Sequence, residues 1–408
     1  MTRALLMFAA MTAALPARAM PVFARRYKTA CTTCHTLPPQ LNPQGLAFRA
    51  NGYRLPSGEE RRQAEDVQLG APEWEGLFPR QFLPGTLPET PPIAGMLRLA
   101  LSSEAGHPRT EEIQLLAAIF TAGSLGKHAS WLAEVGATNQ GAGLGRMIVS
   151  VDQIGGTPWL NARVGQMEPS IVPWSRFTQR LTYNQYLAFE TKVGVLELGA
   201  PKPSLEVSGA GSDPGPLRGL SYSVGLGARD DHGLTADGYG RVAYKFGGVA
   251  AAGDKSGKAS AAVAPLAETS LTVGGWLYRA TLGGPGFRTR GTRAGADATL
   301  RAGDFDVLAG GWAGSDDVAG GGATADGAIL LPRSDSSWGA LAGASARPYP
   351  WLMLMARWEA THSVAGTDRR VVCAVRGALQ QNVSVTLESE IDVPSGDVGF
   401  VTGFFLAF

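Results

Sequence analysis

Five consecutive residues carry the chemistry that stands out in this chain: Cys31-Thr32-Thr33-Cys34-His35. Two thiols three positions apart lie on one face of a helical turn, and the next residue brings an imidazole. This spacing is the attachment motif for c-type haem. The thiols can form thioethers with the haem vinyl groups, and the imidazole can ligate the iron from the proximal side. The motif occurs once, so it predicts one covalent haem c held by Cys31 and Cys34, with His35 on the metal. A thioredoxin-like redox site would need a βαβ surround, and a structural zinc site a second cysteine pair. The sequence offers neither.

The haem segment needs help from the rest of the chain. Met20 to about residue 57 amounts to fewer than about 40 residues, rich in Pro and Gly, which is too few to bury a porphyrin unaided. Residues 1–19, MTRALLMFAAMTAALPARA, read as a secretory signal peptide: Arg3, a short apolar run, then Ala17-Arg18-Ala19 as the cleavage site. The mature protein is then expected in an oxidising compartment.

Composition narrows the fold. The 408 residues are only 17% charged, carry 54 glycines and have a net charge of +1. Mean hydropathy is −0.01. Disorder is excluded by 44% hydrophobic residues. A helical membrane bundle is excluded because no long apolar run follows the N-terminus. The balanced charge gives no argument for nucleic acid as a partner. After a polar, Pro-rich stretch (Ser57 to Pro92), alternating segments of about ten residues run to the end. Ile93, Leu97, Leu99 and Leu101 share one face; Met96, Arg98 and Ser102 share the other. Ala129, Trp131 and Val135 oppose His128, Ser130 and Glu134. Met147, Val149 and Val151 oppose Arg146, Ser150 and Asp152. Leu160, Ala162 and Val164 oppose Asn161 and Arg163. Val385 and Leu387 oppose Ser384, Thr386 and Glu388.

This parity fits a soluble sandwich with its faces reversed as well as a membrane barrel. Three features favour the barrel. The final segment, Val398 to Phe408, sets Val398, Phe400, Phe404, Leu406 and Phe408 on one face and ends on an aromatic, as bacterial outer-membrane proteins do. A single sheet of this length needs closure to remove its edges. Loop lengths also alternate: Gly155–Thr157, Ala302–Asp304, Arg347–Pro350 and Gln380–Asn382 are short periplasmic turns, while Pro169–Thr191 and Ser315–Arg333 are long outer loops. Gly253–Pro265 breaks the rule as a long periplasmic connection. The prediction is all-β: an antiparallel outer-membrane barrel of about sixteen strands, enclosing an aqueous channel, with a small N-terminal haem plug. The expected divisions are 1–19 signal peptide, 20–57 haem segment, 58–91 linker and 92–408 barrel.

The run Pro21-Val22-Phe23-Ala24-Arg25-Arg26-Tyr27, the Cys31–His35 motif, Pro39 to Gly45 and Phe48 to Tyr53 together resemble the fused monohaem cytochrome-porins. The best-known members are outer-membrane iron(II) oxidases. The sharp match covers about 35 residues; the order of parts and the terminal Phe408 match over the full length. The resemblance implies Cys31, Cys34 and His35 as haem residues, with Phe23, Arg25, Asn42, Gly45 and Gly52 packing around the haem. It also implies electron transfer from an extracellular donor, with Fe²⁺ the first candidate, to a periplasmic cytochrome or other acceptor, in a barrel embedded in outer-membrane lipid.

The remaining candidates follow from inward parity. Met96, His128 and Met167 are candidate sixth ligands, and Met353 and Met355 share a face with Arg357 and Glu359; Met147 is expected to face lipid. A Met ligand would raise the potential. Arg98 and Arg163, and after them Arg357 and Arg376, are candidate partners for haem propionates, or simply line a polar lumen. His107, His232 and His362 fall in or near outer loops. Asp230, Asp231, Asp316 and Asp317 are hard oxygen donors that either meet a hydrated cation or only solvate a loop. Cys373 alternates with Val371 and Val375 as a small wall residue. Gly141 to Gly145 is a turn and not a phosphate loop. Electron transfer through a lumenal haem therefore competes with a second function: a solute or metal-ion channel whose haem plug gates or senses. Because one haem must bridge the whole path, the first function requires the plug to lie inside the lumen.

Overall fold

The computed structural model describes residues 22–407 except 28–29, 56–65, 69–85, 89–92, 105–106, 126–127, 140, 174–181, 188–197, 213, 230–234, 254–267, 285–286, 320–321, 324–328, 331–332, 364–365 and 381. The expected signal peptide, Asp230, Asp231, His232 and Phe408 lie outside the described residues, as does the side chain of His107.

Sixteen antiparallel strands close into one barrel. They are β1 (Ile93–Glu104), β2 (His107–Leu125), β3 (Ala129–Thr138), β4 (Gly141–Val151), β5 (Asn161–Met167), β6 (Lys202–Ala210), β7 (Leu220–Arg229) and β8 (Thr235–Gly247). The second half comprises β9 (Thr269–Gly284), β10 (Phe287–Ala302), β11 (Phe305–Ala319), β12 (Arg333–Tyr349), β13 (Leu352–Ser363), β14 (Gly366–Gln380), β15 (Val383–Asp392) and β16 (Val398–Ala407). Each strand pairs with its sequence neighbour, and β16 returns to β1, from Phe400 beside Ser103 to Ala407 beside Met96. No barrel strand keeps an open edge, so the backbone is satisfied within the wall, which is the condition for crossing a bilayer.

The alternation sorts side chains as the parity predicts. Leu387 and Phe400 are 57% and 60% exposed on the outer wall, while Thr386 and Glu388 are buried facing inward. Met147 faces out, as expected. Cys373 is exposed on the outer wall with Val375; Arg370 and Arg376 point inward, and Arg369 shares the outward parity. Aromatic pairs mark both ends of the wall. Tyr349 and Trp351 stack at 5.7 Å, and Trp338 stacks on His362 at 6.0 Å. Such girdles sit where lipid headgroups begin.

Loop lengths depart from the simple rule. The turns at 303–304 and 381–382 are short and lie at the same end as the chain's haem segment, as read. Connections at 152–160, 211–219 and 248–268 on that side are longer, and several outer connections, such as 105–106 and 285–286, span two residues. Long strands explain this, because β2, β9 and β10 carry the sheet past the bilayer and leave little loop. The linker is not featureless: Asp66–Gln68 pairs with Thr86–Pro88.

Candidate functional site

The haem segment builds its own small scaffold. Helix α1 (Val22–Arg26) precedes a single 3₁₀ turn at Cys31–Thr33, then a ribbon of His35–Leu37 with Gln40–Leu41, then helix α2 (Pro43–Ala50). Asn42 joins these parts. Its side-chain oxygen accepts from Gly45 N at 2.9 Å and so caps α2. Its amide donates to the carbonyls of Thr32 and Thr33 at 3.0 and 3.1 Å, and its backbone N–H to Cys34 O at 3.0 Å. A Cβ at Gly45 would stand 2.1 Å from the Cys34 carbonyl, so only glycine lets the helix approach the motif. Phe23 packs edge-on against Phe48 at 5.0 Å and stacks on Tyr53 at 5.1 Å. Gly52 takes φ +63° at the exit turn. Phe23, Asn42, Gly45 and Gly52, expected to pack around a haem, make these contacts within the segment, and the side chain of Arg25 lies outside the described residues.

The segment closes the mouth of the barrel at its turn-bearing end. On one wall, Arg54 pairs with Asp152 at 3.1 Å and donates to Ala129 O at 2.6 Å. Arg26 donates to Ser124 Oγ at 3.2 Å. Asn51 donates to Ala252 O at 2.5 Å and accepts from Gln153 at 3.1 Å. On the far wall, Arg376 donates to Pro38 O at 2.6 Å, and Leu37 packs on the buried Met353. Strands β3–β5 and β13–β14 lie on opposite sides of a sixteen-strand ring. The segment therefore bridges opposite walls of the barrel.

Neither thiol of the motif is tied up in a disulfide, and the imidazole has one ring nitrogen without a hydrogen-bond partner among the described residues. Cys31 and Cys34 are free thiols. Burial pushes the Cys34 thiol up to about 11, with Cys31 beside it adding to the effect; burial also raises Cys31. Both thiols stay neutral. Burial pushes the His35 imidazole down to about 4, against partial support from the backbone of Gln40 and Pro39. The neutral ring keeps a lone pair for a metal. His35 Nδ1 is buried with no hydrogen-bond partner among the described residues. An orphaned ring nitrogen beside two free thiols fits a c-type haem.

The loop after β5 supplies a feature that sequence parity missed. Read as an outer loop, its described residues lie across the lumen. Ser170 O accepts from Ser223 Oγ at 2.8 Å, and Ile171 O from Arg241 at 2.9 Å. Farther on, the N–H groups of Tyr183 and Asn184 donate to Glu388 at 2.7 and 2.9 Å, and Leu187 N–H donates to Glu359. Arg357 lies over the Tyr186 ring at 4.5 Å. Ile171, Tyr186 and Leu198 join Tyr239, Trp276, Tyr278, Trp312 and Leu341 in a buried cluster inside the barrel. The signal was present in Thr182-Tyr183-Asn184-Gln185-Tyr186, whose aromatics suit a packed strap better than a solvated loop.

No protein-family model and no curated protein matches the chain. Solved structures do match. A form of the outer membrane protein OmpT of Vibrio cholerae lacking loop L8 aligns over 78% of this chain and 98% of its own, at 12% identity and TM-score 0.54. An anion-selective porin from Comamonas acidovorans gives the same identity, coverage and TM-score. The fold is that of a porin-type outer-membrane barrel.

Within that barrel the predicted site residues separate. Met96 lies at the plug end of β1, half-buried. His128 sits exposed on the rim, its Nδ1 3.3 Å from Asp152 O, and does not point deep into the lumen. Met167 is 1% exposed at the other end of β5, and Met353, 2% exposed, touches the haem segment through Leu37. Arg163 pairs with Glu206 at 2.5 Å, and Arg357 with Glu359. Arg98 instead lies over the Tyr183 ring at 4.6 Å. Asp316 pairs with Arg293 at 2.7 Å and Asp317 accepts from Ser334 Oγ, so these acids serve the wall. His362 stacks outside on Trp338.

Proposed function

We propose that the chain is an outer-membrane electron-transfer protein of the fused cytochrome-porin kind. It carries one covalent haem c on Cys31 and Cys34 with His35 as proximal ligand. Electrons pass from an extracellular donor, Fe²⁺ first among candidates, to a periplasmic acceptor. The observation that carries this reading is the position of the Cys31–His35 motif: lodged in the barrel mouth and clamped to opposite walls. Electron tunnelling falls steeply with distance, so a single redox centre serves the path only if it sits within the wall.

A haem bound here would supply one-electron chemistry by cycling its iron between two oxidation states. The chain's own residues do the rest. Asn42 holds the Thr32 and Thr33 carbonyls so that both thiols keep one orientation. The buried, neutral His35 presents a lone pair without needing a proton to leave. Arg54, Asn51 and Arg376 fix the segment to the rim. Ile171, Tyr186 and Leu198 pack against the inward aromatics of the wall and fill that part of the lumen with apolar side chains.

The channel reading is favoured by fold alone, and the plug together with the strap oppose it. Anaerobic Fe²⁺ is added outside intact cells while haem absorbance is followed. Reduction is expected in the wild type and not in His35→Ala. If external Fe²⁺ leaves the haem oxidised while periplasmic reductants reduce it, iron is not the donor. A large steady single-channel conductance in planar bilayers would move the channel reading ahead.

A further inference from the structure

Most inward arginines in the described lumen face a carboxylate across the strands, as Arg146 does with Glu134 at 2.6 Å and Arg163 with Glu206. On the wall made by β14, β15, β16 and β1, two arginines also lie over aromatic rings. Arg376, 3% exposed, lies over the Phe405 ring at 5.3 Å and donates to Ser384 Oγ at 3.0 Å as well as to Pro38 O. Arg98 stands beside Phe405 in register and over the Tyr183 ring. Both guanidiniums lie within electrostatic range of Tyr183. Two cations thus share the neighbourhood of one carboxylate, Glu388, which also accepts the N–H groups of Tyr183 and Asn184. Thr386, 1% exposed, sits next to Arg376 in register, and its Oγ1 is buried with no partner among the described residues. A buried hydroxyl without a partner is destabilising unless a ligand satisfies it.

Two guanidiniums, an orphaned hydroxyl and an apolar ring suit carboxylate groups carried on an apolar body. The patch adjoins the haem segment, since Pro38, bound by Arg376, lies three positions beyond His35. We propose that Arg98, Arg376 and Thr386 hold the propionate carboxylates of the haem attached at Cys31 and Cys34. This rests on the haem reading above and assigns the task to Arg98 and Arg376, which lie over aromatic rings beside the orphaned Thr386 hydroxyl. The arginines then set the potential of the haem: positive charge beside it disfavours the oxidised iron.

The test is a spectroelectrochemical titration of the purified, haem-loaded, full-length protein at several pH values from about 5 to 8, the range into which an unpaired propionate would titrate. Arg98→Gln should lower the midpoint potential and make it fall with rising pH, because a carboxylate without its cation takes up a proton on reduction. Arg98→Lys should restore most of the wild-type value, and Thr386→Val should shift it less in the same direction. Added succinate should leave the wild-type potential unchanged. The proposal is overturned if Arg98→Gln and Thr386→Val keep the wild-type potential and pH profile with intact haem absorbance and heat-modifiable migration. A succinate-dependent shift overturns it in favour of a free carboxylate ligand. A wild-type band without peroxidase stain overturns the haem reading itself, and this assignment with it.

Discussion

The barrel wall and the haem segment obey different rules. The wall repeats one instruction: apolar out, polar in, every second residue. Many side chains meet each demand, so Val, Leu, Ile, Phe and Ala interchange along its outer face. The haem segment has few residues and almost no redundancy. Asn42 alone caps a helix and holds two carbonyls of the attachment turn. Gly45 alone lets α2 meet Cys34. The wall gains stability by summing small, similar contributions, whereas the plug depends on single contacts that have no substitute. Substitutions in the wall should therefore be judged by polarity, and those in the plug by atom.

The sharpest break between the two regions is chemical. Cys31→Ser with Cys34→Ser should abolish peroxidase staining of the denatured band completely while the barrel stays heat-modifiable; a stained band would sink the haem assignment. Leu387→Arg attacks the wall instead. At mid-strand on the lipid face it should cost about 2–4 kcal/mol, read as weaker resistance to urea in lipid vesicles, with haem staining per folded molecule unchanged. Arg54→Ala tests the clamp between the regions. It removes the bond to Asp152 at 3.1 Å and should cost roughly 2 kcal/mol of plug docking. Brief openings in single-channel recordings should become more frequent, and an unchanged record would mean that the other rim contacts suffice. Asn42→Ala should cost about 1 kcal/mol through loss of the cap, seen as faster amide exchange in α2 with no change in the barrel strands.

The strap shows where reading by period fails. Periodicity finds segments whose every second residue shares one environment, and residues 168–201 have no such repeat. Among the described residues, Tyr183, Asn184 and Leu187 are held by Glu388 and Glu359, more than 170 positions away in the chain. Parity did put Glu388 and Arg357 on the inward face, yet it could not say whether another segment would cover them. The same holds for Arg163 and Arg98. Both are inward arginines by parity; one meets Glu206 because β6 happens to bring an acid to that height, and the other meets an aromatic ring. His128 lies beside the first residue of β3, and only the position of the rim turn shows that it is exposed.

The sequence by itself determined two things about this protein. The Cys31–His35 spacing carries the proposed haem attachment, because thioether and imidazole ligation need those atoms at those separations. The two-residue period specifies strands with one apolar and one polar face, and the aromatic-ended last strand, alternating loop lengths and need to remove sheet edges point to a closed wall. Tertiary structure decided what fills the enclosed space. Closing the ring sets opposite walls at one diameter, and only then do Arg54 and Arg376 clamp the plug from two sides, the strap cross beneath the outer rim, and Arg98 meet Arg376 over the seam between the first strand and the last. These are long-range encounters, and their energies depend on distances that no local pattern encodes.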